Sequence, residues 1–365
     1  MNPAAIRPDG ADRADLAYQT EILPGVSRTF ALTIPALPEQ LAGVVTNAYL
    51  LCRIADTIED DVSLSNAQKS DFHGRFVAVV EGRADAEPFA AELAPLLSSR
   101  TLADERALIR NGAKIIRVTH GFSPAERAAL TRCVRVMCQG MPEFQRKKSL
   151  SGLANLEEMD AYCYYVAGVV GEMLTELFCL HSPEIEQHHD KLMRLAVSFG
   201  QGLQMTNILK DVWDDREADT CWLPRSVFKS PTFRLEHLDE EHLSTTFVDG
   251  LNELIGVAHA HLRDAMTYTC LIPKRETGIR KFCFWAIGLA VLTLRKIHRN
   301  PAFTSAAEVK VSRRTVKATV VTTNMTLMSN RALRMIFARA ADGLPLADAQ
   351  ATRDRQTYGA ASEVS

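Results

Sequence analysis

YLLCRIADTIEDD, residues 49–61, carries two patterns at once. Leu50, Leu51, Ile54 and Ile58 recur at the spacing of an apolar helix face. Asp56, Glu59 and Asp60 stand at i, i+3 and i+4, so at about 100° per residue they share one side of that helix. Asp61 points elsewhere. Carboxylates gathered on a helix apolar enough to be buried repel one another and lose hydration unless a cation compensates. The stretch therefore predicts a packed helix whose polar side meets positive charge.

GQGLQMTNILKDVWDD, residues 200–215, repeats the arrangement. Asp211, Asp214 and Asp215 again occupy i, i+3 and i+4, and Gln204 and Asn207 extend the stripe upstream. Positions 204, 207, 211 and 215 follow one face of a helix otherwise lined by Leu203, Met205, Ile208, Leu209 and Val212. Two such stripes facing each other would make a cage of hard oxygen donors, which suits Mg²⁺ shared with substrate phosphates. A histidine metal site is not supported: His188 and His189 are adjacent and His259 and His261 are two apart, so neither pair shares a helix face. One acidic triplet alone reads most simply as a solvated helix face; two in apolar helices argue against that.

Outward from these stretches, helical apolar spacing continues almost everywhere, as in Leu192-Leu195-Ala196-Phe199 and Leu251-Leu254-Ile255-Ala258. Sustained strand alternation is missing, and VKVSRRTVKATVV (309–321) is the most ambiguous segment. Prolines such as Pro24, Pro124, Pro142 and Pro183 mark plausible helix ends. The reading is one all-α domain over 16–345, with polar tails at 1–15 and 346–365 expected to be disordered. The 365 residues are 47% hydrophobic, and 42 Lys+Arg against 44 Asp+Glu leave a formal charge of −2. Near-neutrality argues against a general nucleic-acid binder. Eight scattered cysteines without a C-x-x-C pair read as reduced, mostly buried thiols of a cytoplasmic protein. The longest apolar run, Phe282 to Leu294, is well short of the roughly 20 residues of a spanning helix, so no transmembrane anchor is expected. Peripheral contact with the inner face of a membrane, for product release, is the remaining membrane expectation.

DTIEDD (56–61) and NILKDVWDD (207–215) resemble the two aspartate-rich motifs of the squalene/phytoene synthase family. YCYYVAGVVGEM (162–173) is similar to its tyrosine motif and SRTFAL (27–32) to its substrate-flap segment, all in the family's order over roughly residues 20 to 330. The resemblance implies a single-domain isoprenoid-synthase (class I terpenoid synthase) helical fold with a central active-site cavity. It also implies head-to-head (1′-1) condensation of two prenyl diphosphates. Asp-x-x-Glu-Asp-Asp in the first motif, with IRKFC (279–283) and EVKVSRR (308–314), looks like the squalene-synthase branch. Tyr164, where that branch usually has His, is the phytoene-synthase-like choice. Lys210 replaces the family's usual Arg, keeping the charge but losing the bidentate fork.

On the squalene branch, two farnesyl diphosphates per turnover pass through presqualene diphosphate and are reduced by NADPH, with NADH as the alternative. The resemblance assigns Asp56, Asp60, Asp211 and Asp215 to Mg²⁺, with Glu59 as a supporting ligand. Ser27, Arg28, Phe30, Tyr49, Arg53, Tyr165, Val166, Gln204, Asn207 and Lys210 fall to substrate. Tyr162 is its candidate for proton handling or cation steering, and whether it or released diphosphate is the base stays open. Phe282 and Cys283 match residues lining a water-excluding pocket, where an aromatic face can also stabilise a cation. Gly168 and Gly171 either bring helices close or permit a kink. Lys310, Arg313, Arg314 and Lys317, at i, i+3, i+4 and i+7, make a basic helix face matched to the cofactor's phosphates, and a solvated face gives the same spacing. The rivals are a dehydrosqualene or phytoene synthase, a presqualene diphosphate synthase that does not reduce, and a non-catalytic helical protein that binds prenyl diphosphate or a partner.

Overall fold

The computed structural model describes residues 12–238 and 244–348 and, within these, every side chain except those of Arg28, Arg313, Lys317 and Met325. The described residues are helical with no strand; one isolated parallel bridge joins Leu153 and Pro224. They divide into two compact units, where the sequence drew no boundary between 16 and 345.

The first unit comprises residues up to Arg146 together with Met173–Gln187. Its centre is the helix Glu39–Asp60, with Leu50, Leu51, Ile54, Ala55 and Ile58 all but sealed from solvent. Around it pack the helices Arg13–Val26, Asn66–Val80, Ala103–Arg110 and Gly112–His120. Burying Asn47 in this core requires partners for its amide. Its Nδ2 donates to the Ile115 carbonyl at 3.0 Å, and its Oδ1 accepts from Thr119 Oγ1 at 2.8 Å. Helix Arg13–Val26 begins inside the stretch expected to be a tail. Asp15, 4% exposed, accepts two hydrogen bonds from Arg117 at 2.7 and 2.9 Å.

The second unit comprises Lys147–Glu172 and the chain from His188 onward. Helix His189–Lys210 packs against Thr245–Leu271 and Thr277–Arg299, and the tyrosine segment lies on it as well. Helices Arg313–Thr326 and Asn330–Ala340 rest on Thr277–Arg299. The ambiguous 309–321 stretch is therefore mostly helix: Ser312 caps it by accepting from Thr315 N, and tertiary packing overrides its β-branched residues. The C-terminal boundary also moves, since Ala347 N donates to Gly256 O at 3.1 Å and Pro345 O meets His259 Nδ1 at 2.8 Å.

Pro124 and Pro183 open helices, but Pro24 and Pro142 lie inside Arg13–Val26 and Pro124–Lys147 rather than at ends. Three helices, Glu39–Asp60, Leu156–His181 and Thr277–Arg299, are long and apolar enough to cross a membrane. The sequence expectation of no such segment counted uninterrupted apolar residues and missed helices that carry a charge or two. In each of the three, more than half of the apolar window is buried within protein. The eight cysteines are free thiols, seven buried and Cys270 partly exposed.

Candidate active site

In the first unit, the acidic helix presents Tyr49, Arg53 and Asp56 along one side. Arg53 donates from Nε and Nη2 to the Tyr49 hydroxyl at 3.3 and 3.0 Å, and that hydroxyl donates to Val26 O at 3.0 Å. Ser27 follows immediately, where its Oγ accepts from Phe30 N at 3.1 Å and so starts the short helix Arg28–Thr33. The Phe30 ring then lies 4.7 Å from the Tyr49 ring. Four residues assigned to substrate, Ser27, Phe30, Tyr49 and Arg53, thus form one contiguous patch. The Arg28 side chain lies outside the described residues.

Arg53 sits 3.7 Å from Asp56 and 3.8 Å from Glu105. Burial opposes its charge, but Asp56, Tyr49 and Glu105 outweigh that and hold its pKa above the ordinary value. The carboxylates respond in the opposite sense. Burial pushes Asp56 up to about 7; Arg53 resists this, while Asp60 and Glu105 add to it. Burial pushes Glu59 up to about 8, with Asp60 adding and a 2.9 Å hydrogen bond from Gln145 Nε2 opposing. Asp60 is exposed at the helix end. Asp61 does turn away: it accepts from Ser63 N, Ser98 N and Thr101 Oγ1 at 2.8, 2.8 and 2.6 Å and fixes the following loops.

Sequence reasoning missed the residues behind this cluster. Buried Lys69 donates to the Glu59 carbonyl, and buried His73 bonds the Ala55 carbonyl at 3.1 Å. Both come from helix Asn66–Val80, so one turn of it grips the end of the acidic helix. Their i, i+4 spacing was a readable signal, but nothing local says which carbonyls they reach.

In the second unit, helix His189–Lys210 stops at Lys210, and Asp211 is the junction before Val212–Glu217. The acidic stripe is therefore not on one unbroken helix as expected. The i to i+4 bonds from Asp211 N to Asn207 O and from Asp215 N to Asp211 O, both 2.8 Å, nevertheless carry the pitch across the junction. Gln204, Asn207, Asp211 and Asp215 remain on the less buried side, with Met205, Ile208, Leu209 and Val212 buried. Lys210 pairs with Asp211 at 3.0 Å. Burial raises the Asp211 pKa, against Lys210 and, from far along the chain, Lys310. Asp214 accepts from Ala306 N at 3.4 Å, so the 306–310 segment runs beside the second acidic motif. Lys310 and Arg314 are exposed, while the side chains of Arg313 and Lys317 lie outside the described residues.

The tyrosine motif changes pitch. Leu156–Cys163 is α-helical, Tyr164–Gly168 forms a π-turn, and Val169–His181 resumes the α-helix. A uniform α-helical pitch therefore does not run through the motif past Cys163. Tyr162, 6% exposed, stacks on Trp222 with ring centroids 4.0 Å apart and planes 9° from parallel. Trp222 was not anticipated, sixty residues away in sequence. Tyr165 and Val166 are half-buried, and Tyr164 donates its hydroxyl to Glu172 Oε2 at 3.2 Å across the π-turn. Close approach explains the glycines: a Cβ on Gly171 would lie 2.2 Å from Ala196 O, and one on Gly200 2.2 Å from Ala167 O. Of the two open readings of the motif, the close approach is the one seen. Phe282 and Cys283 are buried, and burial pushes the Cys283 thiol up to about 12.

Among the described residues, no three His, Cys, Asp or Glu side chains form a metal-holding cluster by themselves. The donor chemistry still fits a hard divalent cation. Burial raises both Asp56 and Glu59, and Asp60 adds to each, a condition that a bound cation relieves.

The described residues are helical, with two Asp-rich motifs and an aromatic motif between them in the sequence, as in the terpenoid-synthase class. The family model described as squalene/phytoene synthase matches residues 23–315, and the chain belongs to that family. Among curated relatives, squalene synthase ERG9 of Candida albicans is 28% identical over 77% of this chain and 61% of its own length. ERG9 of Saccharomyces cerevisiae is 28% identical over 78% and 62%, and squalene synthase BSS of Botryococcus braunii 29% over 87% and 66%. The chain thus spans about three fifths of the length of the first two. Among solved structures, TcSQS with the ligand E5700 superposes with a TM-score of 0.74 at 22% identity, covering 94% of this chain and 97% of that one. A dehydrosqualene synthase with bound ligand gives 0.64 at 21%, covering 87% and 98%. These likenesses establish the isoprenoid-synthase helical fold expected from the sequence.

Proposed function

We propose that this chain joins two farnesyl diphosphates head to head through presqualene diphosphate and reduces the product with NADPH to squalene. The observation that carries the condensation is the patch of Ser27, Phe30, Tyr49 and Arg53 leading into Asp56. It offers a guanidinium and hydroxyls to a diphosphate directly beside carboxylates that need a cation. Asp56, Asp60, Asp211 and Asp215, with Glu59 in support, would hold magnesium, which when bound supplies positive charge to the departing diphosphate. Arg53, held firmly charged, and Lys210, paired with Asp211, each offer a cation to a diphosphate beside their own acidic motif. Gln204 and Asn207 continue the polar side upstream. Tyr162, flat against Trp222, presents a fixed aromatic face and hydroxyl to the allylic cation or the departing proton. Tyr165 and Val166 line the prenyl chain, and Phe282 and Cys283 exclude water from the cationic intermediate.

The reductive half rests on the matched squalene synthases and on the placement of Lys310 near Asp211. Exposed Lys310 and Arg314, with Arg313, fit the phosphates of a nicotinamide cofactor, NADPH or NADH. Incubating the protein with farnesyl diphosphate and Mg²⁺, with and without NADPH, tests each half by gas chromatography. Squalene only in the presence of NADPH is expected. An unchanged, unreduced hydrocarbon would make the chain a dehydrosqualene synthase, a reading that the dehydrosqualene synthase fold match keeps in view. Accumulated presqualene diphosphate would stop the assignment before reduction. Binding without turnover would leave a prenyl-diphosphate-binding protein.

A further inference from the structure

From Ala318 to Ala341 the chain has three arginines, Arg331, Arg334 and Arg339, and not one Asp or Glu, in a protein whose formal charge is −2. The same stretch holds three exposed large apolar side chains: Val321 at 59%, Met328 at 60% and Met335 at 66%. Helix Asn330–Ala340 shows how they are arranged. Leu333 and Phe337 point into the core. At about 100° per residue, Arg334, Arg331, Met335 and Arg339 fall within an arc of about 140° on the opposite side. All four are exposed. In helix Arg313–Thr326, exposed Val321 lies on the outer side, opposite buried Thr323. The turn between the two helices is fixed by buried Arg280, which donates to Leu327 O at 3.0 Å and to Asn330 Oδ1 at 2.6 Å. Arg339 pairs with Asp342 at 3.0 Å; among the described residues, Arg331 and Arg334 have no carboxylate within ion-pairing distance.

We infer that this face docks on an anionic phospholipid surface. Guanidinium groups reach lipid phosphates while long, flexible methionines enter the acyl boundary between them, the division of labour of an interfacial helix. A second copy of the chain would bring the same positive charges and be repelled. Nucleic acid would find the arginines but no use for exposed Val321, Met328 and Met335. The inference stands on the face itself; the proposed function adds only that a hydrocarbon product has nowhere to go in water.

The test is flotation of the full-length protein with vesicles of phosphatidylcholine alone or mixed with phosphatidylglycerol, which requires no turnover. Binding at least about tenfold stronger to the anionic vesicles, weakening with salt, is expected. Arg331→Glu/Arg334→Glu should abolish that preference, Arg331→Lys/Arg334→Lys should keep it, and Met328→Ser/Met335→Ser should weaken it several-fold. All these side chains are exposed, so an unchanged melting temperature confirms that each variant is folded. Equal binding to both vesicle types, or binding untouched by the glutamate pair, overturns the inference. Retention on heparin as strong as on vesicles and indifferent to the serine pair would instead make this a polyanion-binding face.

Discussion

His73 shows how much a single buried side chain can hold in this structure. It is 1% exposed, bonds the Ala55 carbonyl one residue before Asp56, and burial pushes its pKa down to about 4. Unfolding releases it to an ordinary value of 6.5. The folded protein therefore keeps His73 neutral where the unfolded chain takes up a proton. Its contribution is fully present above pH 6.5 and is lost as pH falls from 6.5 toward 4, to an extent on the order of 3 kcal/mol. Asp56 and Glu59, with raised values, run the other way across the same window. Subtracting a His73→Gln variant, which can still bond the carbonyl, isolates the histidine. Melting curves from pH 4 to 8 should show the wild type losing stability relative to the variant only at the acid end. A difference independent of pH would mean that His73 is not held neutral.

Between elements, the decisive contact is the one that glycine permits between the tyrosine segment and helix His189–Lys210. Replacing Gly200 by Ala puts a methyl 2.2 Å from Ala167 O, backbone against backbone, where no side chain can rotate away. The helices must separate, and overpacking of this kind costs about 1–3 kcal/mol. Gly200→Ala should thus lower the melting temperature by several degrees, whereas Gly74→Ala, with open space around it, should not. Equal melting of both variants would remove the close approach from the argument. The helices and the two acidic motifs were legible in the sequence, because each rests on spacing within a few residues; the glycine contacts were not, since Gly171 and Gly200 meet backbone some thirty residues away. What escaped it depends on partners far along the chain. The π-turn at Tyr164–Gly168 packs against a helix thirty residues on, Trp222 reaches Tyr162 only after folding, and Lys310 nears Asp211 across a hundred residues. The helix break at Asp211 was missed for a different reason: i, i+4 bonding continues through it, so the pattern looks unbroken.

At the scale of the molecule, a near-zero net charge conceals strong local excess of both signs. Asp56, Glu59 and Asp60 crowd one helix end, while the charged residues of 318–341 are all arginines. The acidic excess has a thermodynamic consequence. On the proposed function, a divalent cation held by these carboxylates takes further oxygens from a phosphate ligand. Cation and diphosphate should then stabilise the fold together far more than either alone. At ligand concentrations a hundredfold above the dissociation constant, the gain is about 2.7 kcal/mol, a shift of several degrees. Mg²⁺ alone or inorganic pyrophosphate alone should each move the melting temperature little, and the pair should move it by more than their sum. Asp56→Asn should erase the joint effect without lowering the stability of the free protein, because it removes a charge from a half-buried group that Asp60 and Glu105 repel. Arg331→Glu, on the basic face, should leave the joint effect intact. Simple additivity in the wild type would mean that the acidic motifs bind their cation without the substrate's phosphates, and the division of ligands between protein and diphosphate would have to be abandoned.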